Sequence, residues 1–129
     1  MPRRPLERIC YVEDDEQAQL IVRLALEKLG KMIVEVVSDP HRAIEAITRF
    51  NPDLVMLDWL MPGMDGPALF RKIKQVPGLA AMPVVFITAK VMPKELEELV
   101  ALGPAATIPK PFSPKDLPDQ LRAIWSKLP

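Results

Sequence analysis

Short apolar runs, each followed by polar or charged residues, constrain the fold of this chain more than any other feature. Runs of this length that alternate with helical spacing are typical of buried parallel strands. Four of them lie at residues 9–12, 54–57, 84–87 and 105–109. They lead into Glu13-Asp14-Asp15, Asp58, Thr88-Ala89 and Lys110-Pro111. Because ligands bind beyond the carboxyl ends of such strands, we expect these side chains to converge on one pocket.

The composition narrows the class of protein. With 129 residues, the chain has the length of one domain with a substantial core. Seventeen basic and seventeen acidic residues give zero net charge, which argues against bulk attraction to nucleic acid or membrane. No apolar stretch approaches the roughly 20 residues of a membrane span, and residues 1–8 lack the hydrophobic segment of a signal peptide. We therefore expect a cytoplasmic protein that contacts neither nucleic acid nor membrane directly.

In the segments between the apolar runs, apolar residues recur at the spacing of an α-helix. Helices are predicted from residue 18 to 29, from Asp39-Pro40 to Asn51-Pro52, over 66–75, from Pro93 to Gly103, and at the C-terminal end. The apolar positions expected to face inward are Ala18, Ile21, Val22, Ala25 and Leu29, then Ile44 and Ile47, Leu69 and Ile73, Leu96, Leu99 and Val100, and finally Leu117, Leu121, Ile124 and Leu128. With a further strand at Ile33–Val37, a strand and a helix alternate five times. This order predicts an α/β sandwich with helices on both faces of the sheet.

The sequence allows two predictions for the start of the last helix. If Ser113 caps the helix and Pro114 is its first residue, Pro118 falls where its missing N–H is needed. The helix therefore either begins later or has a distorted first turn. The Lys110–Pro111 bond is a candidate cis peptide, because X-Pro bonds adopt the cis form far more readily than others.

Asp58 is the candidate for chemistry. It ends an apolar run, so its carboxylate is expected to be partly desolvated, and aspartate serves as a nucleophile in phosphoryl transfer. The alternative is a strand-end aspartate that caps a local turn. Glu13 and Asp14 favour the chemical role of Asp58 over the capping role. Neighbouring buried acids repel one another unless a cation compensates, so the three acids together indicate a cation site. Mg²⁺ suits carboxylates and phosphate oxygens. Asp15 fits either this acidic cluster or a helix cap, and Asp65 fits a turn.

Lys110 and Thr88 complete the predicted site. The lysine ammonium would neutralise the acids and then contact a phosphoryl oxygen, and the threonine hydroxyl would donate a hydrogen bond. A phosphoryl-transfer transition state is stabilised by a metal, a cation, hydrogen-bond donors and an in-line nucleophile, and these residues could supply that set.

These residues, in this order, resemble the receiver domain of two-component response regulators. The elements that carry the resemblance are Glu13-Asp14, Asp58, the loop Met61-Pro62-Gly63-Met64-Asp65-Gly66, Thr88-Ala89 and Lys110-Pro111-Phe112. The resemblance implies one receiver domain over residues 1–129, with a flavodoxin-like (βα)5 fold and a parallel sheet of order 2-1-3-4-5. It also implies Mg²⁺ bound by Asp14, Asp58 and the backbone carbonyl of Leu60, with Glu13 acting through water.

The resemblance further implies a function. Asp58 would accept a phosphoryl group from a sensor histidine kinase or a histidine phosphotransfer protein, and the protein would then signal through contacts of its fourth-helix to fifth-helix face. Leu60 and Lys90 would flank the path of attacking water and tune dephosphorylation. Such a domain catalyses its own phosphorylation and is not a turnover enzyme. A dinucleotide enzyme would need a Gly-rich loop in place of Glu13-Asp14-Asp15.

Thr107 departs from the family pattern. Many receiver domains carry Tyr or Phe three residues before the lysine, and that ring turns inward on activation. Threonine cannot bury a ring-sized surface, so the conformational coupling would be weaker or would use other groups. The alternative function is therefore a receiver-like binding module that phosphate does not regulate. The intact acids, Thr88 and Lys110 favour the phosphorylated switch.

Overall fold

A five-stranded parallel sheet forms the centre of the molecule. The structure, a computed structural model, describes residues 4–89, 93–103 and 105–128. Within these residues the strands are β1 (Arg8–Val12), β2 (Ile33–Val37), β3 (Leu54–Asp58), β4 (Val84–Thr88) and β5 (Ala105–Pro109). Their order in the sheet is β2-β1-β3-β4-β5, and every neighbouring pair is parallel. This is the flavodoxin-like arrangement that the sequence resemblance implied.

Helices cover both faces of the sheet. They are α1 (Glu16–Leu24), which continues as a π-helix (Ala25–Leu29); α2 (Ala43–Phe50), preceded by a 3₁₀ turn (Pro40–Arg42); α3 (Gly66–Gln75); α4 (Pro93–Val100); and α5 (Leu117–Lys127). Val55 and Leu57 of β3 pack with α2, α3 and α4, whereas Leu54 and Met56 pack with α1 and α5. This alternation along one strand produces two apolar layers, one on each side of the sheet. None of the described helices is long and apolar enough to cross a bilayer.

Three positions predicted to face inward are exposed instead. The exposed fraction is 47% for Ile21, 59% for Leu29 and 49% for Val100. Leu29 lies in the π-helix, where the Gly30 N–H donates to the carbonyl of Ala25, five residues earlier. The wider π turn rotates Leu29 away from the core and leaves Leu26 fully buried. Ile21 and Val100 lie beside the buried positions Val22 and Leu99, at the rim of each helix's apolar face.

The helix ends follow local signals in the chain. The Asp39 carboxylate accepts a hydrogen bond from the His41 N–H, so it caps the turn that precedes α2. Asn51 ends α2 in the left-handed conformation, with a φ of 53°. The last helix begins at Leu117, so Pro118 lies in the first turn, where its missing N–H has no partner to lose. The later start is thus the correct solution. The Lys110–Pro111 bond is cis, as predicted.

The strand register places the candidate residues at one edge. Val12 pairs with Leu57, so Glu13 and Asp14 follow β1 where Asp58 ends β3. Asp58 in turn pairs with Ile87, the residue before Thr88. Thr88 pairs with Pro109, the residue before Lys110. The carboxyl ends of four neighbouring strands therefore meet, which is where parallel sheets bind ligands.

Candidate functional site

Three carboxylates converge at this edge of the sheet. Glu13, Asp14 and Asp58 each offer one oxygen, and these oxygens lie within 4.8 Å of one another. Glu13 and Asp58 are buried, with exposed fractions of 2% and 7%, whereas Asp14 is exposed. Carboxylate oxygens at this spacing fit a hard divalent cation such as Mg²⁺, which commonly completes its coordination with water and phosphate oxygens. The structure thus brings together the acids that the sequence pointed to, and their role as ligands stays a prediction.

Lys110 forms an ion pair with one of the three acids, Asp58. Its Nζ lies 3.2 Å from Oδ1 of Asp58, and its side chain is 36% exposed. The backbone N–H of Lys110 donates to the carbonyl of Thr88 at 2.7 Å, which fixes where the lysine leaves the sheet. One positive charge therefore offsets part of the repulsion among three acids.

Glu13 is held on several sides. Its Oε1 accepts a hydrogen bond from the Tyr11 hydroxyl at 3.1 Å, and its Oε2 accepts one from the Asp15 N–H at 3.3 Å. The Gln19 side-chain amide donates to the carbonyl of Glu13 and, at 3.0 Å, to the Ser38 hydroxyl. Burial, and then the charge of Asp58, raises the pKa of Glu13 from its ordinary 4.5 to about 7.

Tyr11 is a site residue that the sequence reasoning missed. Burial first, and then the Glu13 charge, raises the pKa of the Tyr11 hydroxyl above its ordinary value, so this group keeps its proton. The signal that could have found it is the two-residue period of a strand, which places Tyr11 on the same side as Glu13. Tyr11 also lines an apolar groove of about 470 Å³ beside the site. The other lining residues are Ala18, Ile21, Val22, Ala89, Lys110, Pro111, Phe112 and Pro114.

Asp15 and Asp65, the two other acids considered near the site, cap helices. The Asp15 carboxylate accepts a hydrogen bond from the Ala18 N–H at 2.9 Å, which confirms the capping interpretation at the start of α1. The Asp65 carboxylate does the same for the Ala68 N–H at 2.8 Å and begins α3. Their positions at the helix starts complement the helix dipoles.

Thr88 and Leu60 are the remaining predicted site residues that the structure describes. Thr88 is 3% exposed at the end of β4, between the strand ends that carry Asp58 and Lys110. Leu60 follows β3 by two residues, and 75% of its surface is exposed. Its backbone carbonyl stays a predicted ligand. Lys90, the other residue expected to tune dephosphorylation, lies outside the described residues.

A close backbone contact holds Asp58 in place. The Gly66 N–H donates to the carbonyl of Trp59 at 2.9 Å, which folds the loop after β3 back onto the strand end. A Cβ at Gly66 would lie 2.6 Å from the carbonyl oxygen of Asp58, so this loop conformation requires glycine. The Trp59 ring packs edge-on against Phe86, with 4.9 Å between the ring centroids. The backbone that carries Asp58 is therefore fixed from both sides.

Thr107 lies in β5, where it is half-buried and pairs with Phe86 of β4. The structure thus has a small side chain at the position where the sequence resemblance predicted an aromatic ring in many members.

Known proteins with sequences similar to this chain include response regulator receiver domains and transcriptional regulatory proteins. The family model for the response regulator receiver domain matches residues 9–122. The phosphate regulon transcriptional regulatory protein PhoB of Rhizobium meliloti (strain 1021) is 31% identical over 119 residues, which are 92% of this chain and 52% of that protein. PhoB of Escherichia coli (strain K12) is 31% identical over 121 residues, or 94% and 52% of the two chains. The chain therefore spans about half the length of these curated relatives.

Solved structures match over nearly their whole length. The signal receiver domain of a signal transduction histidine kinase from Syntrophus aciditrophicus has a TM-score of 0.77 and 30% identity, with 93% of this chain and 90% of that chain covered. The chemotaxis protein CheY4 of Vibrio cholerae has a TM-score of 0.83 at 23% identity, with 92% and 98% covered, which indicates the same fold.

Proposed function

Because the chain belongs to the response regulator receiver domain family, we propose that it is a signalling switch controlled by phosphorylation of Asp58. Receiver domains are signalling switches and not turnover enzymes of the usual kind. The observation that carries the proposal is the position of the Asp58 carboxylate, which ends a buried strand between two further acids and Lys110. That arrangement matches the needs of a carboxylate nucleophile in phosphoryl transfer.

The proposed donor is the phosphohistidine of a sensor histidine kinase or of a histidine phosphotransfer protein. An oxygen of the Asp58 carboxylate attacks the phosphorus, and the bond between the phosphorus and the imidazole nitrogen breaks. The imidazole takes up one proton, so a neutral histidine leaves and an acyl phosphate remains on Asp58. A small phosphodonor such as acetyl phosphate would transfer its phosphoryl group in the same way, with acetate as the leaving group.

The residues around Asp58 have distinct proposed roles. The Lys110 ammonium, now 3.2 Å from Asp58, would stay beside the acyl phosphate and pair with one of its oxygens. The Thr88 hydroxyl would donate to another oxygen. Mg²⁺ held by Asp14, Asp58 and the Leu60 carbonyl, with Glu13 directly or through water, would supply the charge that offsets the phosphoryl oxygens.

Phosphorylation would change the charge of the pocket. A phosphoryl group adds roughly −1.5 to −2 charges and strong acceptor oxygens. We place the resulting switch in the chain segments after β4, in α4 and in β5, and the downstream protein target on the face between α4 and α5. Val100 ends α4 and Leu102 follows it, and both are about half exposed, so the C-terminal end of α4 offers apolar surface for such a contact.

The test is phosphorylation in vitro. Wild-type protein is incubated with acetyl phosphate and Mg²⁺, and intact-mass spectrometry counts the phosphoryl groups. We expect one group on the wild type and none on Asp58→Asn. Asp65→Asn is the matched control, because asparagine retains the helix cap, and it should take one group.

Two outcomes would contradict the proposal. If Asp58→Asn is phosphorylated as well as the wild type, another residue is the acceptor. If the folded wild type takes no phosphoryl group from either acetyl phosphate or a phosphohistidine donor, the chain is a receiver-like binding module that phosphate does not regulate, the alternative suggested by Thr107.

A further inference from the structure

The Tyr11 hydroxyl contacts one of the three clustered carboxylates from inside the core. Tyr11 lies in β1, and its side chain, which is 1% exposed, packs in the apolar layer that contains Val22 and Met56. Its hydroxyl lies 3.1 Å from Oε1 of Glu13, two residues along the chain. A buried phenol normally finds a hydrogen-bond partner, and here the partner is a carboxylate of the proposed site.

Glu13 needs such a contact to keep one orientation. The last torsion of a glutamate side chain is broad, so the carboxylate plane rotates easily unless its oxygens are bound. The hydrogen bond from the Asp15 N–H to Oε2 is long, at 3.3 Å, and it comes from a loop residue. The Tyr11 hydroxyl is attached to a ring that the core holds rigidly. With both oxygens bound, the carboxylate stays in place near Asp14 and Asp58.

We propose that Tyr11 is a positioning residue, whose hydroxyl orients the Glu13 carboxylate for divalent-cation binding. Partners that hydrogen-bond to metal ligands typically change metal affinity by 10–100-fold when they are removed. The proposal rests on the proposed function only in that it assigns Glu13 to the cation site. Cation binding is measured without any phosphodonor, so the two proposals can fail separately.

The test compares Mg²⁺ affinities by titration calorimetry. Tyr11→Phe keeps the ring and removes the hydroxyl, and we expect it to weaken Mg²⁺ binding about tenfold. Glu13→Gln should weaken binding too, and the double variant should be no weaker than Glu13→Gln alone. This lack of additivity separates positioning through Glu13 from a general structural effect. Met56→Leu is the matched control, because Met56 is the β3 partner of Tyr11 in the same apolar layer, and it should bind Mg²⁺ like the wild type.

Two results would overturn the proposal. One is an unchanged Mg²⁺ dissociation constant in Tyr11→Phe. The other is that Tyr11→Phe weakens Mg²⁺ binding as much in the Glu13→Gln background as it does in the wild type. Thermal unfolding without divalent ions shows whether Tyr11→Phe is folded. If it is not, Glu13→Asp provides the same test, because it withdraws the carboxylate from the hydroxyl by one methylene and leaves the tyrosine intact. Wild-type Mg²⁺ affinity in Glu13→Asp would then reject the positioning role.

Discussion

Lys110 Nζ and Asp58 Oδ1 lie 3.2 Å apart, although Lys110 follows β5, Asp58 ends β3, and β4 lies between these two strands in the sheet. The lysine side chain therefore spans the end of β4, where its own backbone N–H is bound to the carbonyl of Thr88. The contact places a positive charge on a cluster of three acids, and it links the proposed phosphoacceptor to the edge strand of the sheet.

Lys110→Met should affect stability, metal binding and phosphorylation in different directions. Loss of the partly exposed ion pair should lower the free energy of unfolding by about 1 kcal/mol. Mg²⁺ should bind more tightly, because no ammonium competes for Asp58, and phosphorylation by acetyl phosphate should slow by roughly hundredfold. Lys115→Met, at an exposed loop position, is the control for loss of one lysine. Phosphorylation at the wild-type rate in Lys110→Met would reject the proposed role of the ammonium.

The Glu13 contribution to the stability of the metal-free protein should fall as pH rises from 4.5 to 7. The pKa of Glu13 is raised from 4.5 to about 7 in the folded protein, so the native state binds more protons than the unfolded state in this window. Deprotonation of Glu13 therefore costs stability as the pH rises. Thermal unfolding in a chelator should show this fall, and Glu13→Gln should flatten it. The same pH slope in both proteins would contradict the assignment.

Gly66→Ala should disturb the site through the backbone. Its Cβ would lie 2.6 Å from the carbonyl oxygen of Asp58, so the loop or the strand end must shift. We expect a loss of about 1–3 kcal/mol in the free energy of unfolding, together with slower phosphorylation. Gly78→Ala is the control, because Gly78 has a φ of 91° and no atom lies within 4 Å of the place its added methyl group would take. It should lose about 1–2 kcal/mol from backbone strain and keep the wild-type phosphorylation rate.

Lys74 should make stability rise at alkaline pH. Its Nζ donates to the Met82 carbonyl and lies 5.0 Å from the centre of the Phe70 ring. Burial lowers the pKa of Lys74 from 10.5 to about 8, so between these pH values the native state binds fewer protons than the unfolded state. The Lys74 contribution to stability therefore increases as pH rises from 8 to 10.5. Denaturant unfolding of Lys74→Met should lack this increase, whereas Lys72→Met, at an exposed position of the same helix, should retain it. An identical pH dependence in wild type and Lys74→Met would contradict the prediction.

Local patterns in the sequence determined the elements and the candidate site residues. The strand Ile33–Val37 and the helix Gly66–Gln75 have the predicted bounds, because alternation, helical spacing and caps are properties of neighbouring residues. The candidate acids and Lys110 are predictable because they stand at the ends of apolar runs. The strand order came from the family resemblance, since no periodicity within one strand specifies which strand lies beside it.

Only the tertiary structure decided the contacts between distant residues and the exposure of individual side chains. Leu29 is exposed because a π-helix changes the phase of α1, and Lys74 is half-buried, with its ammonium bound to the Met82 carbonyl and close to the Phe70 ring. Tyr11 contacts Glu13 because the core holds its ring at the end of β1. Each outcome depends on how whole helices and strands pack. The packing energy comes from contacts between residues that are far apart in the chain, and local sequence patterns do not specify those contacts.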